Sequence, residues 1–214
     1  MGRYPVTQEQ WAAVMGSLPA CRFRGARRPV ENVSWQEGLE FCRRLAGKTG
    51  REVGLPSEAQ WEYARRAGTV TPFSCGETIT GDLADYVAEH TYADGPPGVD
   101  RHGTTDVGAF PANPFGLCDM HGLLWEFCAD AWRADYGEGP GRAKDEPAPV
   151  APARPVAPVV ATDQAREAAG ASRFGVARGG SWHDGPDLCR SAARLRVDPE
   201  YGDDFFGLRV AAPL

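Results

Sequence analysis

The chain has 214 residues and a net charge of −6 at neutral pH, which allows one large domain or two small ones. Its basic residues are scattered, so no electrostatic footprint for nucleic acid is expected. No apolar run approaches the roughly 18 residues that would span a membrane. Six tryptophans, nine phenylalanines and six tyrosines supply material for a core, while 26 glycines and 18 prolines predict a loop-rich fold. Lysine is confined to Lys48 and Lys144 and asparagine to Asn32 and Asn113. Low asparagine suits a heat-adapted source, and arginine in place of lysine equally suits GC-rich codons.

The opening, Met1-Gly2-Arg3-Tyr4-Pro5, leads into a polar helix without the pattern of a secretory signal. A cytoplasmic location is therefore expected, with display on a cell or virion surface left open. Thr7 with Gln10, Ser34 with Glu37 and Ser57 with Gln60 each place a hydroxyl three residues before a Glu or Gln. That is capping-box spacing, and it predicts three helices. The first runs from Thr7 to Met15 with Trp11 and Val14 inward. The second runs from Ser34 to Lys48 with Trp35, Leu39, Cys42 and Leu45 inward. The third starts after Pro56, buries Trp61 and Ala64, and stops at Gly68.

Residues 69–135 are punctuated by Gly and Pro and carry short apolar runs at 107–110 and 123–127, which read as loops and short strands. From Pro147 to Ala161 every residue is Pro, Ala or Val except Arg154. Such a stretch buries too little apolar surface to offset its ordering entropy, and it predicts an extended insertion over about residues 137–174. Arg178 to Val210 has too little apolar content to fold alone, so the insertion divides one domain in sequence. Cys21, Cys42, Cys75, Cys118, Cys128 and Cys189 form no CxxC pair, and they read as free thiols, most of them buried.

The most informative stretch is residues 177–210. Gly179-Gly180-Ser181-Trp182 and Gly207-Leu208-Arg209-Val210 bracket a middle with neither helical nor strand period. Apolar side chains without a period cannot all face one core, so the stretch reads either as an interaction site or as an ordinary Gly-rich loop packed over its own residues.

Three ordered motifs carry a family resemblance. They are NVSWQEGLEFCRRLAGKTGREVGLPSEAQWEYARRAG (32–68), VGAFPANPFGLCDMHGLLWEFCADAW (107–132) and ARGGSW…CRSAAR…FGLRVA (177–211). Together they resemble the formylglycine-generating-enzyme and sulfatase-modifying-factor family. The resemblance implies an α+β, loop-rich C-type lectin fold with few helices and short antiparallel strands. Strands that the family usually places before the segment at Gly2 to Thr7 imply that the chain begins inside its domain.

The resemblance also bears on chemistry. Oxidase members use two cysteines, at positions six and eleven from the first Gly of GGS. Here these are Asp184 and Cys189. A Cu(I) site requires two soft thiolates, and a carboxylate oxygen is a poor substitute. No copper and no oxidase activity are expected. Sulfoxide synthases of the same superfamily depend on a His-rich helical domain, and His90, His102, His121 and His183 show no His-x-x-x-His spacing.

Among non-catalytic members, the chain resembles the variable proteins of diversity-generating retroelements, whose templates rewrite AAC codons to NNC between GGSW and GFR. Between Trp182 and Gly207 only Glu200 falls outside the reach of NNC codons. The resemblance implies a ligand-binding region over about residues 182–206. Its candidate contact residues are His183, Asp184, Leu188, Leu195, Val197, Asp198, Tyr201, Asp203, Asp204 and Phe205. Trp182, Arg190, Arg194, Arg196 and Arg209 are expected to be structural. The partner implied is an unidentified protein or surface ligand. A divergent oxidase and an invariant carbohydrate- or protein-binding relative are the alternatives.

Family members with a motif like Asp119-Met120-His121-Gly122-Leu123-Leu124-Trp125-Glu126 bind calcium. Carried over, the ligands are Asp119, the carbonyls of Gly122 and Leu124, and Glu126. Oxygen donors of mixed backbone and side-chain origin suit Ca²⁺. Loop capping by Asp119 and a salt bridge at Glu126 is the competing reading. Asp85 and Asp100 are candidates for a second ion.

Overall fold

The computed structural model describes residues 1–134 and 173–213. Helix α1 (Gln8–Met15), α2 (Trp35–Thr49) and α3 (Glu58–Arg66) all form where the capping boxes predict them. Each N-cap hydroxyl accepts from the backbone N–H three residues on, and each Glu or Gln returns the bond. The helices end on left-handed residues. Two of these are Gly16 and Gly50, and the third is Ala67 at φ 47°, one residue before the expected Gly68.

The sheet has the order β3-β2-β1-β4. Its strands are β1 (Trp125–Ala131), β2 (Gly175–Arg178), β3 (Leu195–Val197) and β4 (Phe206–Gly207). β2 runs antiparallel to both β1 and β3, whereas β4 pairs parallel to β1. The first four residues of β1 are all buried, so this central strand has no solvent face and shows no alternation. Of the two apolar runs read as loops or short strands, 123–127 leads into β1 and 107–110 is a turn. Val107 and Phe110 are buried, but Gly108 between them sits at φ +76°.

The main core joins helices to sheet. Trp11 stacks on Phe41 at 5.1 Å and Phe127 on Phe206 at 5.5 Å. The Trp35 indole donates to the Cys128 carbonyl at 2.7 Å. Trp61, Ala64 and Cys128 belong to a second cluster under α3. All six cysteines are free, and five are buried.

The final segment is sewn to the first. Gly2 N–H donates to Val210 O at 2.8 Å and Val6 N–H to Leu208 O at 2.9 Å. Most of the expected insertion at 137–174 lies outside the described residues. Its last two positions belong to the packed domain. Trp132 N–H donates to Phe174 O at 2.7 Å, and Arg196 lies over the Phe174 ring at 4.5 Å.

Candidate ligand-binding face

The face begins from a rigid frame. Arg178 is fully buried and binds the carbonyls of Ala193 and Ser191 together with the Glu62 carboxylate. Gly180 sits at φ +74°, where an added Cβ would lie 2.6 Å from the Cys189 sulfur. Only glycine fits there. Trp182 is 6% exposed. Its indole donates to Asp204 O at 3.0 Å, and its ring meets Phe23 edge-on at 5.2 Å. Arg209 and Glu126 form a buried pair, with Arg209 Nη2 2.9 Å from Glu126 Oε1.

On this frame stand five of the predicted contact residues. His183 is exposed, 5.1 Å from the Trp182 ring and stacked toward Phe205 at 6.5 Å. Phe205 leans on Phe206 at 4.8 Å. Tyr201 is 50% exposed, meets Phe206 edge-on and donates its hydroxyl to Asp203 Oδ2. Asp204 pairs with Arg22 at 2.7 Å. His183, Tyr201, Asp203, Asp204 and Phe205 are thus linked through rings and carboxylates into one patch.

Two members of the patch were missed from sequence. The Arg22 guanidinium lies over both Phe23 and Trp182, at 5.1 and 5.5 Å. Arg22 and Phe23 come from the loop after α1, far from the C-terminal stretch in sequence, and nothing local in their surroundings signals the contact.

The side chains of the other five predicted residues are not linked into it, although Asp198 adjoins it through the Tyr201 N–H. Val197 is 3% exposed, and Leu195 packs against the same main core. They point inward because residues 195–197 form β3, with Arg196 on the opposite side. A three-residue strand is too short to show its period, so reading Val197 and Leu195 as contacts was incorrect. Asp184 turns inward as well, accepting from Trp125 Nε1 at 2.8 Å and from Ser181 Oγ. Leu188 is exposed on the turn after Gly185, and Gly185 lies against His90. Asp198 is exposed and caps its own turn through the Glu200 N–H at 3.1 Å.

The framework arginines divide. Arg194 holds Glu58 through two bonds and Arg209 is buried. Arg190 is half-buried, and its Nε donates to Asp187 O.

Cys189 is sealed at 0% exposure, and burial pushes its thiol up to about 12. With the Asp184 carboxylate committed to Trp125 and Ser181, these two positions offer no thiolate pair.

The residues read as a calcium set fit an ion only in part. Glu126 is taken: Arg209 Nε and Nη2 hold its two oxygens, and Trp61 Nε1 adds a third bond at 2.7 Å. Assigning Glu126 as a metal ligand is therefore corrected, because its charge is already neutralised. The Gly122 carbonyl accepts from Leu124 N–H at 2.9 Å. Asp119 accepts from Gly108 N–H through Oδ2, but its Oδ1 is buried without a partner, as are both oxygens of Asp85. Burial pushes the Asp119 carboxyl to about 6 and that of Asp85 to about 7. Asp100 is engaged by His102. Among the described residues no group of three or more His, Cys, Asp or Glu side chains is placed to hold a metal.

A second polar cluster surrounds His121. Its Nε2 lies 3.0 Å from Ser74 N and 2.9 Å from Ser74 Oγ, and Arg65 abuts its Nδ1. A cavity of about 90 Å³ opens beside it, lined by Ser74, Cys75, Leu83, Pro111, Asp119 and His121 among others. Burial and the Arg65 charge push the His121 pKa far down. Ser74 on one side and Arg65 on the other hold the ring in place. The arrangement is a buried strut.

The whole chain, residues 1–214, matches the family described as sulfatase-modifying factor enzyme 1-like domain. It is 31% identical over 191 residues to a formylglycine-generating enzyme from Thermomonospora curvata, covering 86% of this chain and 55% of that protein. It is 32% identical to serine/threonine-protein kinase pkn1 of Chlamydia caviae, over 87% of this chain and 24% of the kinase. The chain thus spans between a quarter and about half of the length of these relatives. Among solved structures, it is similar to Treponema denticola variable protein 1, with TM-score 0.72 and 26% identity, covering 97% of this chain and 82% of that one. It is also similar to PvdO from Pseudomonas aeruginosa, with TM-score 0.71 and 27% identity, over 99% and 79% of the two chains.

Proposed function

The chain belongs to the sulfatase-modifying-factor family and has its formylglycine-generating type of C-type lectin fold, and on that premise we propose that it is a non-catalytic ligand-binding protein. In this reading the face built by residues 182–206 determines what it binds, and a retroelement diversifies that face. The observation that carries the reading is the division of labour within one short stretch. Trp182, Cys189 and Phe206 are buried, while His183 and Tyr201 project from them. A surface whose side chains do little packing tolerates change at about 0.5 kcal/mol or less per position. A rigid frame limits the entropy lost on binding. Aromatic rings beside short polar groups are the mixture that paratopes use. The 26% identity to a variable protein over nearly the whole chain supports the same reading.

Two tests bear on it. A reverse-transcriptase gene beside this one, with a near-copy of the codons for residues 178–210 differing only at adenines, is expected; a locus with no such copy would overturn diversification. Copper-loaded protein given a cysteine-containing sulfatase-motif peptide and oxygen is expected to yield no formylglycine. Turnover would instead establish the oxidase reading that kinship with formylglycine-generating enzymes supports.

A calcium ion has a structural place in this proposal. The partnerless oxygen of Asp119, with the Gly122 and Leu124 carbonyls, would hold it without Glu126. A ligand bound only by the folded state raises stability by linkage. Millimolar calcium is expected to raise the melting temperature of the wild-type protein and leave Asp119→Ala unmoved. No response in either protein would leave Asp119 as a loop cap alone.

A further inference from the structure

Within the proposed face, the structure already shows how a guanidinium is held. Arg22 rests on the rings of Phe23 and Trp182 and places Nη1 2.7 Å from Asp204 Oδ2. Aromatic surface beneath and a carboxylate beside is the arrangement that suits a planar, weakly hydrated cation.

The same pair of groups recurs one step along the chain. Tyr201 presents a half-exposed ring, and its hydroxyl is tied to the Asp203 carboxylate. Among the described residues no Lys or Arg side chain lies against that ring or carboxylate. The carboxylates of Asp198 and Glu200 stand exposed on the adjoining turn. Arg22, the cation of the face, is already paired with Asp204.

The corner is also held in place. Asn32 N–H donates to Asp203 O at 2.9 Å, and Tyr201 N–H to Asp198 O at 3.1 Å. Gly202 passes so close to the start of α2 that an added Cβ would lie 2.8 Å from the Val33 carbonyl carbon. A ring and a carboxylate fixed before binding lose little freedom when they take up a ligand.

We propose that Tyr201 and Asp203 form a recognition corner for an arginine side chain presented by a polypeptide partner. The charge of the corner supplies the complementarity: negative groups on the turn meet a positive side chain, and the ring supplies the stacking surface. The proposal rests on the reading of this face as the binding surface, and it specifies the chemistry of one part of it.

The experiment titrates acetyl-Gly-Arg-Gly-amide into ¹⁵N-labelled protein and follows backbone amide shifts. The control is the same peptide with citrulline, which keeps the shape of arginine and removes its charge. The arginine peptide is expected to shift the amides of Glu200, Tyr201 and Asp203 saturably, and the citrulline peptide to bind several-fold more weakly. Tyr201→Ala and Asp203→Asn are each expected to weaken binding by about two- to fivefold, the scale of an exposed cation–π contact or ion pair. Tyr201→Phe, which keeps the ring, should retain most of the binding. Both side chains are exposed enough that unchanged melting temperatures will show the variants folded. Equal binding of the citrulline peptide, or shifts confined to residues outside this corner, would overturn the proposal. Equal shifts from both peptides at His183 and Phe205 would do so while leaving the face itself as the binding surface.

Discussion

Trp182 and His183 are consecutive, and their rings lie 5.1 Å apart, yet they belong to different parts of the molecule. Trp182 is 6% exposed with its indole N–H bonded. Trp182→Ala is therefore expected to open a cavity and lower the unfolding free energy by about 3–5 kcal/mol in a denaturant titration. His183→Ala should change it by about 0.5 kcal/mol or less. That contrast was legible in sequence, because GGSW reads as frame and the residues after Trp182 lack a period. The inward turn of Asp184 was not legible. It depends on Trp125, whose indole reaches it from a strand 59 positions away. Phe23 and Arg22 were hidden for the same reason, since a side chain's spatial neighbours are invisible when the loop carrying it has no regular structure. Asp85 gives a second residue-scale expectation. Its carboxyl is pushed up to about 7 by burial, against about 3.9 when unfolded. The folded state thus binds more protons between those values, and stability should fall as pH rises from about 4 to about 7. Melting temperatures recorded over that range with a chelator present should show the decline, and Asp85→Asn should make it shallower, the remainder belonging to Asp119, whose carboxyl is raised to about 6. An unchanged slope in Asp85→Asn would assign the effect to another group.

At the scale of elements, the three helices were readable because each carries its start signal within four residues. The sheet was harder. β1 is buried on both faces at its start and so lacks alternation, β3 has three residues, and β4 has two. β3 and β4 are too short to present a period, and the pairing of the strands joins distant segments. One connection can be tested directly. β1 and β2 are antiparallel neighbours, and Trp132 N–H already meets Phe174 O across their ends. A short Gly/Ser linker in place of residues 135–172 should therefore close the hairpin without strain. Each halving of loop length lowers the closure cost by only about 0.6 kcal/mol. The melting temperature is expected to stay within a few degrees, and a fall of about 10 °C or more would show that the segment packs on the domain.

At the scale of the whole molecule, charge is concentrated where it is best shielded. The guanidiniums of Arg65 and Arg178 lie 5.0 and 5.9 Å from the centre of the Trp61 ring, and its indole N–H donates to Glu126. Arg209 completes the arrangement by holding Glu126 and, through its other nitrogen, the carbonyls of Gly2 and Arg3. A carboxylate in the middle of a sheet is costly unless its partner is present. During synthesis, Glu126 emerges from the ribosome more than eighty residues ahead of Arg209. Until that arginine arrives, the central strand cannot bury its charge, and the first residues have no carbonyl clamp to close against. Burial of Glu126 in the central strand thus depends on a residue far downstream in sequence. A chain cut between Trp182 and Arg209 would keep Glu126 but lose the cation that allows its burial. The segment that carries the varied face would thus also carry the group that lets the core close.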